Sequence, residues 1–75
     1  MSTNTTDAET VTLPTDPAAL LTEAQAAYLV GVSKFTLKRR RAEGGDVPRF
    51  VKFGGRAIRY RRLDVELWIE QHAVA

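Results

Sequence analysis

The order of apolar and polar positions divides the chain into a polar N-terminal segment and a patterned remainder. Residues 1–16 are mostly Thr, Ser, Asn, Asp and Ala without apolar periodicity, which is typical of a segment that stays disordered. Asp16 followed by Pro17 is suited to open a single helical turn. We therefore expect a flexible acidic tail over residues 1–20 and one folded domain over residues 21–75.

Two helices are predicted in the first half of this domain. Thr22 and Gln25 have the spacing of a capping box, in which each side chain bonds to the backbone of the other residue. Gly31 can end that helix in the left-handed conformation. Ser33 is a good N-cap for a second helix, which we expect over residues 34–42 before a pair of glycines. Two helices joined by a tight glycine turn indicate a helix-turn-helix arrangement.

Apolar residues then alternate with basic ones, which predicts a β-hairpin. A two-residue turn at Gly54–Gly55 would pair Val51 with Ile58 and separate an apolar face from a basic one. A shift by one residue would set Lys52 beside Ile58 and mix the two faces. We therefore expect the first register. It puts Val51, Phe53, Ile58 and Tyr60 on the inner face and Phe50, Lys52, Arg59 and Arg61 on the outer face.

A third helix is predicted from Leu63 to His72, where apolar residues return at helical spacing with acidic residues between them. Trp68 has Leu67 and Ile69 beside it, and we expect it to lie in the core. The predicted fold is mainly α with a small β-hairpin, a winged helix-turn-helix with the element order α-α-β-β-α.

The basic residues are clustered along the chain. Residues 1–20 carry three acidic side chains and no basic one, whereas residues 34–62 hold all 11 basic residues against two acidic ones, a local charge of +9. Ordinary soluble surfaces mix the two signs. A positive potential of this kind attracts a polyanion such as double-stranded DNA. The alternative is a basic surface that serves solubility alone.

The candidate DNA contacts lie on the second helix and on the hairpin. With Leu37 facing inward, Phe35 and Arg39 point outward. Arg39 is the first choice for reading bases, because arginine donates to guanine edges. Arg56 is the natural probe of a narrow minor groove. The candidates on the helix are Ser33, Lys34, Phe35, Thr36, Lys38, Arg39 and Arg40, and those on the hairpin, or wing, are Lys52, Gly54, Gly55, Arg56, Arg59 and Arg61.

Several of these residues have a second interpretation. Ser33 also fits a helix cap without any DNA contact. Phe35 fits contact with a thymine methyl group, or packing against the wing or a neighbouring copy. Arg40 and Arg41 point nearer the inside, so we expect their aliphatic stems to lie along the edge of the core. The charged hairpin also fits an edge strand that is protected from aggregation.

The sequence contains no pattern typical of catalysis, metal binding or membrane insertion. His72 is the single histidine and cysteine is absent, so the usual zinc ligand sets cannot form. The glycine pairs lack the spacing of a phosphate-binding loop. No apolar run approaches the roughly 18 residues of a membrane span, and the N-terminus lacks a signal-peptide pattern. We expect a cytoplasmic protein that is not an enzyme and needs no cofactor and no small-molecule substrate.

Taken together, these residues resemble a known family, the phage excisionases (recombination directionality factors) and related phage regulators with a MerR-like winged helix-turn-helix domain. The resemblance spans about Leu21 to His72. It departs from the family pattern at Arg40, where tryptophan is usual, and at Leu63, where serine usually caps the third helix, so an irregular helix start is expected. The residues that carry it are Leu21, Thr22, Glu23, Ala26, Leu29, Gly31, Val32, Ser33, Thr36, Leu37, Pro48, Phe50, Val51, Lys52, Gly54, Gly55, Arg56, Arg59, Tyr60, Asp64, Glu66 and Trp68.

The resemblance implies that the second helix reads the major groove and that the Gly54–Arg56 tip contacts the minor groove. It implies a protein that binds repeated sites beside a phage attachment sequence, bends the DNA and directs an integrase towards excision, with cooperative self-association side by side on DNA. The family also includes small phage or prophage transcriptional regulators that bind an operator, and its fold does not choose between these roles. A third interpretation is an adaptor whose basic face binds an acidic protein.

Overall fold

The computed structural model describes residues 13–74, which form three helices and a three-stranded antiparallel sheet with the strand order β1-β3-β2. The elements in chain order are β1 (Leu20–Leu21), α1 (Glu23–Val30), α2 (Lys34–Ala42), β2 (Val51–Phe53), β3 (Ala57–Arg61) and α3 (Arg62–Gln71). The predicted winged helix-turn-helix is confirmed, with one strand added to it. Residues 1–12, which make up most of the predicted tail, and Ala75 lie outside the described residues.

Local capping interactions define α1 and α2 where the sequence indicated them. The side chain of Thr22 accepts the N–H of Gln25 at 3.2 Å, and the side chain of Gln25 accepts the N–H of Thr22 at 2.9 Å. Gly31 ends α1 with a φ of 93°, a conformation that strains any residue with a Cβ atom. Ser33 Oγ accepts the N–H of Thr36 at 3.0 Å and caps α2. The turn between the two helices is therefore specified by a few neighbouring residues.

The start of α3 is held by backbone carbonyls and has no side-chain cap. The N–H of Arg62 donates to the carbonyl of Ala19 at 2.8 Å, and that of Leu63 donates to the carbonyl of Pro17 at 3.0 Å. A single turn, closed by the N–H of Ala19 and the carbonyl of Asp16 at 2.9 Å, places these acceptors. The segment before β1 thus supplies the hydrogen-bond partners that a capping side chain would otherwise provide.

The folded unit reaches further towards the N-terminus than the boundary predicted at Leu21. Leu20 and Leu21 form β1 and pair with Arg61 and Tyr60 of β3. The guanidinium of Arg62 donates to the carbonyl of Pro14 at 3.0 Å. The free edge of β3 and the open end of α3 both need hydrogen-bond partners, a requirement that the polar sequence pattern does not reveal.

The hairpin has the register that the sequence analysis rejected. The paired residues are Val51 with Arg59, Lys52 with Ile58 and Phe53 with Ala57. Gly54 and Gly55 have φ values of 56° and 80°, and the N–H of Arg56 donates to the carbonyl of Phe53 at 3.1 Å. Pairing resumes only after Arg56, so the loop contains three residues and the ladder is shifted by one position.

This shift changes the composition of both hairpin faces. Cross-strand partners share a face, so Lys52 lies on the side of Ile58 and Tyr60, and the ring of Phe50 lies 6.0 Å from that of Tyr60. The other face holds Val51, Phe53, Arg59 and Arg61. The predicted separation into an apolar and a basic face is therefore wrong. Of the hairpin residues, only Ile58 and Tyr60 of β3 are buried in the core. Strand β2 stays at the surface, so the exposed Lys52 can lie on the same face as these two residues.

The core lies between α1, α2, α3 and β3. Its buried residues are Leu21, Ala26, Ala27, Leu37, Ile58, Tyr60 and Val65. Trp68 was expected in this core but lies at its edge, where its Nε1 donates to Asp46 Oδ1 at 3.0 Å and its ring stacks on His72 at 3.9 Å. The indole N–H needs an acceptor, and Asp46 provides one at the surface.

His72 joins the end of α3 to the loop after α2. Its Nδ1 lies 2.7 Å from the carbonyl of Trp68, and its Nε2 bonds to the carboxylate of Asp46. Both partners are acceptors, so the doubly protonated imidazolium satisfies both contacts. The hydrogen bond to Asp46, followed by that to Trp68, raises the pKa of His72 above its ordinary value of 6.5. The hydrogen bonds from His72 and Trp68 lower the pKa of Asp46 below 3.8.

We expect the free energy of unfolding to fall as the pH rises from about 6 to about 8.5. The pKa of His72 is raised in the folded state, so its contribution to stability is complete below its unfolded pKa. That contribution is lost as the pH rises through its folded pKa. The contribution of Asp46, whose pKa is lowered, is lost only as the pH falls through that lowered value. Urea unfolding at the two pH values measures this change. The control His72→Gln should show a smaller pH dependence, and an equal one would contradict the assignment.

Candidate nucleic-acid interface

A groove of about 560 Å³ opens between the helix-turn-helix and the wing, and we call it the basic groove. Its lining residues are Thr22, Glu23 and Ala24 at the start of α1, Lys34, Phe35, Lys38 and Arg41 on α2, and Arg56, Ala57, Ile58 and Arg59 on the hairpin. Cations from α2 and from the wing therefore border one opening. The two elements predicted to contact DNA lie on the same side of the domain.

The outward face of α2 is as predicted. Leu37 is 2% exposed and faces the core. Phe35, Lys38 and Arg39 are exposed, and residues three and four positions apart lie on one side of a helix. The ammonium of Lys34 lies 5.7 Å from the centre of the Phe35 ring, which itself is 75% exposed. Phe35 therefore does not pack against the wing, which removes one of the interpretations considered for it.

The hydroxyl groups at the start of α2 bond to each other. Ser33 Oγ accepts the N–H of Thr36 and donates its own hydrogen to Thr36 Oγ1 at 2.9 Å. The capping role of Ser33 is thus confirmed. A phosphate that accepted the Ser33 hydroxyl would have to displace its bond to Thr36.

The two arginines expected along the edge of the core differ in their surroundings. Arg41 is largely covered, and its Nε and Nη2 donate to the carboxylate of Glu23 at 2.7 and 3.1 Å. Arg40 is exposed. Of the basic run from Lys38 to Arg41, one residue is therefore bound within the domain and three remain exposed.

Glu23 connects three elements of the structure. Besides its two bonds from Arg41, its Oε2 accepts the hydroxyl of Tyr60 at 2.8 Å. The guanidinium of Arg41 also lies 5.8 Å from the centre of the Phe50 ring. The start of α1, the end of α2 and the C-terminal part of β3 are joined at this carboxylate, which sets the position of α2 beside the wing.

The ionisation of this cluster follows from its hydrogen bonds. Burial alone would raise the pKa of Glu23, but the hydrogen bonds from Arg41 and Tyr60 outweigh it and lower that pKa below 4.5. Burial and the bond to Glu23 raise the pKa of Tyr60 far above its ordinary value, so its hydroxyl keeps the proton that it donates. The hydrogen bond to Glu23 raises the pKa of Arg41. At neutral pH the carboxylate of Glu23 is therefore charged while Arg41 and Tyr60 keep their protons, so all three hydrogen bonds to Glu23 are present.

No sequence pattern predicted this cluster, and Glu23 was a candidate only through the family resemblance. Its partners are 18 and 37 residues away, beyond any local spacing. One signal was available in the sequence. Tyr60 was predicted on the inner face, and a buried tyrosine hydroxyl usually has a hydrogen-bond partner.

The predicted wing residues fall into two groups. Gly54, Gly55 and Arg56 form an exposed tip, and Arg56 and Arg59 line the basic groove. Lys52 and Arg61 do not line it, and Arg61 Nε lies 3.6 Å from Asp64 of α3. The face change caused by the hairpin register therefore moves Lys52 away from the other candidates.

Comparison with known families identifies the kind of domain that this fold represents. A family model described as "Helix-turn-helix domain" matches residues 20–73, from β1 to beyond α3. The chain belongs to the helix-turn-helix domain family. This helix-turn-helix domain is a DNA-binding domain found in excisionase-like proteins. A search of curated proteins gave no match.

Among residues 13–74, no three His, Asp or Glu side chains come together in a way that could hold a metal ion. No helix in the same range has the length and apolar character needed to cross a membrane.

We expect Glu23→Gln to lower the free energy of unfolding at pH 7 by on the order of 2 kcal/mol, because it leaves the covered guanidinium of Arg41 without its charged acceptor. Tyr60→Phe removes one hydrogen bond to a charged group and should cost about 1.5 kcal/mol. Urea unfolding gives both values. Glu66→Gln is the matched control, since its exposed pair with Arg62 should contribute less than about 0.5 kcal/mol. Equal losses for Glu23→Gln and Glu66→Gln would rule out a central role for the cluster.

Proposed function

We propose that this chain is a phage excisionase, which binds double-stranded DNA sequence-specifically beside an attachment site and directs an integrase towards excision. The observation that carries the proposal is the basic groove, in which Lys38 of α2 and Arg56 of the wing border the same opening. In this proposal α2 enters the major groove, which is wide enough for a helix, and the wing tip lies over the neighbouring minor groove.

The charges around the groove favour a polyanion. Glu23 is the acidic residue in its lining, and the hydrogen-bonded Arg41 neutralises it. Glu66 and Glu70 lie on α3 and are absent from the lining of the groove. Lys34, Lys38 and Arg56 of the lining can therefore displace counterions from phosphates, while Arg59 also donates from Nη1 to the carbonyl of Ile58 at 2.8 Å.

The size of the interface and the family resemblance support an excisionase role. One helix and one wing contact only a short DNA site, so useful specificity requires several copies or a partner protein. We infer cooperative binding to direct repeats, bending of the DNA between them, and contact with the phage integrase. The protein would be architectural, without catalysis of its own, and would act in the cytoplasm of the bacterial host on nucleoid DNA.

An in vitro recombination assay tests the excision role. Purified integrase and DNA carrying the two prophage attachment sites are incubated with and without this protein. Excision should require the protein, and binding to the attachment region should grow stepwise as copies are added. Specific binding to a promoter operator, with no effect on recombination, would instead support the regulator role. Binding only to an acidic protein, with no affinity for duplex DNA, would support the adaptor role.

We expect two single-residue changes in the interface to weaken DNA binding in different ways. Arg39→Ala should relax base preference at one position and lower affinity about tenfold to a hundredfold. Arg56→Ala should lower affinity for all sequences and reduce the slope of log affinity against log salt by about 1. Binding isotherms at several salt concentrations measure both effects.

Arg49→Ala is the matched control for these two changes. Arg39 and Arg49 are both exposed and both lie outside the lining of the basic groove. Arg39 is on the outward side of α2, whereas Arg49 lines a second groove with Asp46 and Asp64. The variant loses the same charge but should bind nearly as the original chain does. Three equal losses would show that only total charge matters and would contradict the proposed docking.

A further inference from the structure

Phe35 is exposed to an extent that the fold does not explain. It shows 75% of its surface, compared with 38% for Phe50 and 51% for Phe53. Burying an aromatic ring stabilises a folded protein, and the folded domain does not obtain this gain from Phe35. The ring of Phe35 therefore contributes little to the stability of the domain and is available for contact with another molecule.

The position of the ring points towards bound DNA. Phe35 lies in the first turn of α2, beside Lys34 and on the same side as Lys38 and Arg39. The N-terminal residues of a recognition helix are those that reach base edges in the major groove. At this end of α2 the hydroxyls of Ser33 and Thr36 bond to each other, so the ring is the outward uncharged side chain.

The chemistry of the ring selects what it can contact. It offers no hydrogen-bond donor and cannot accept from a base in the manner of a polar side chain. The apolar group that base pairs present in the major groove is the C5 methyl of thymine. Apolar wedges between base steps belong to minor-groove binding, and in the proposed complex the wing occupies that groove.

We propose that Phe35 is a specificity-determining residue that contacts the C5 methyl group of a thymine in the DNA site. The inference rests on the proposed DNA-binding function and deepens it. It assigns to α2 an apolar contact that is distinct from the charged contacts of Lys38 and Arg39.

Replacing thymine by deoxyuridine tests this contact, because the exchange removes only the methyl group. A preferred duplex is selected from random sequences and shortened to a single binding site, so that no second copy can bind beside the first. Each thymine is then replaced in turn. One replacement should weaken binding of the original chain about fourfold, the value of burying one methyl-sized group.

Phe35→Ala should bind the thymine duplex more weakly and lose the response to that one replacement. Phe53→Ala is the matched control, since it removes an exposed ring outside the basic groove and should keep the full response. A double-mutant cycle between protein and DNA gives the coupling. Thermal unfolding of Phe35→Ala should match that of the original chain, because the ring is not buried.

Other results overturn the inference in separate ways. If no deoxyuridine replacement depends on Phe35 while the original chain binds DNA specifically, the methyl contact is wrong and the proposed function stands. If Phe35→Ala lowers only cooperativity on a two-site duplex, the ring contacts a neighbouring copy. If the original chain binds no duplex even at low salt, the proposed function itself fails.

Discussion

The carboxylate of Glu23 is the point on which the geometry of this domain depends. The chain has no cysteine, and its buried core consists of a few small and medium apolar residues with one tyrosine. Apolar packing of this kind has little directionality. The bonds from Arg41 and Tyr60 to one carboxylate are directional, and they join the first turn of α1, the last turn of α2 and the C-terminal part of β3. A partly buried charge is stable only when it is paired in this way.

The same interaction gives the basic residues of α2 two different roles: Arg41 is paired inside the domain, and the others stay exposed at the surface. Leu37 and Arg41 are four positions apart and face the body of the domain, while Phe35, Lys38 and Arg39 face outward. A run of four consecutive basic residues is therefore not one patch. The wing shows a similar division, because Arg56 and Arg59 line the basic groove whereas Arg61 lies near Asp64.

Hydrogen bonds to neighbouring segments hold α3 at both of its ends. The segment before β1 supplies carbonyl acceptors to the uncapped start of α3, and β1 covers an edge of β3. At the other end of α3, Trp68 and His72 both bond to Asp46. With both of its ends tied to neighbouring segments, α3 can hold the sheet against the helix-turn-helix although Val65 is its one fully buried residue among those described.

The sequence by itself determined the interactions between residues within about four positions, which include the cap pairs of α1 and α2 and the glycine turn at Gly31. It also determined where positive charge is concentrated along the chain. The outward side chains of α2 follow from the helical period. The element order follows from these local signals together with the alternation in the hairpin and the apolar spacing of α3. The tertiary structure alone decided the hairpin register, the strand β1, the place of Trp68 and the partners of Glu23. A glycine pair permits loops of two or three residues, and the choice between them depends on how β3 packs against helices distant in sequence. Partners 18 to 37 residues apart leave no periodic signal, because only the folded chain brings them together.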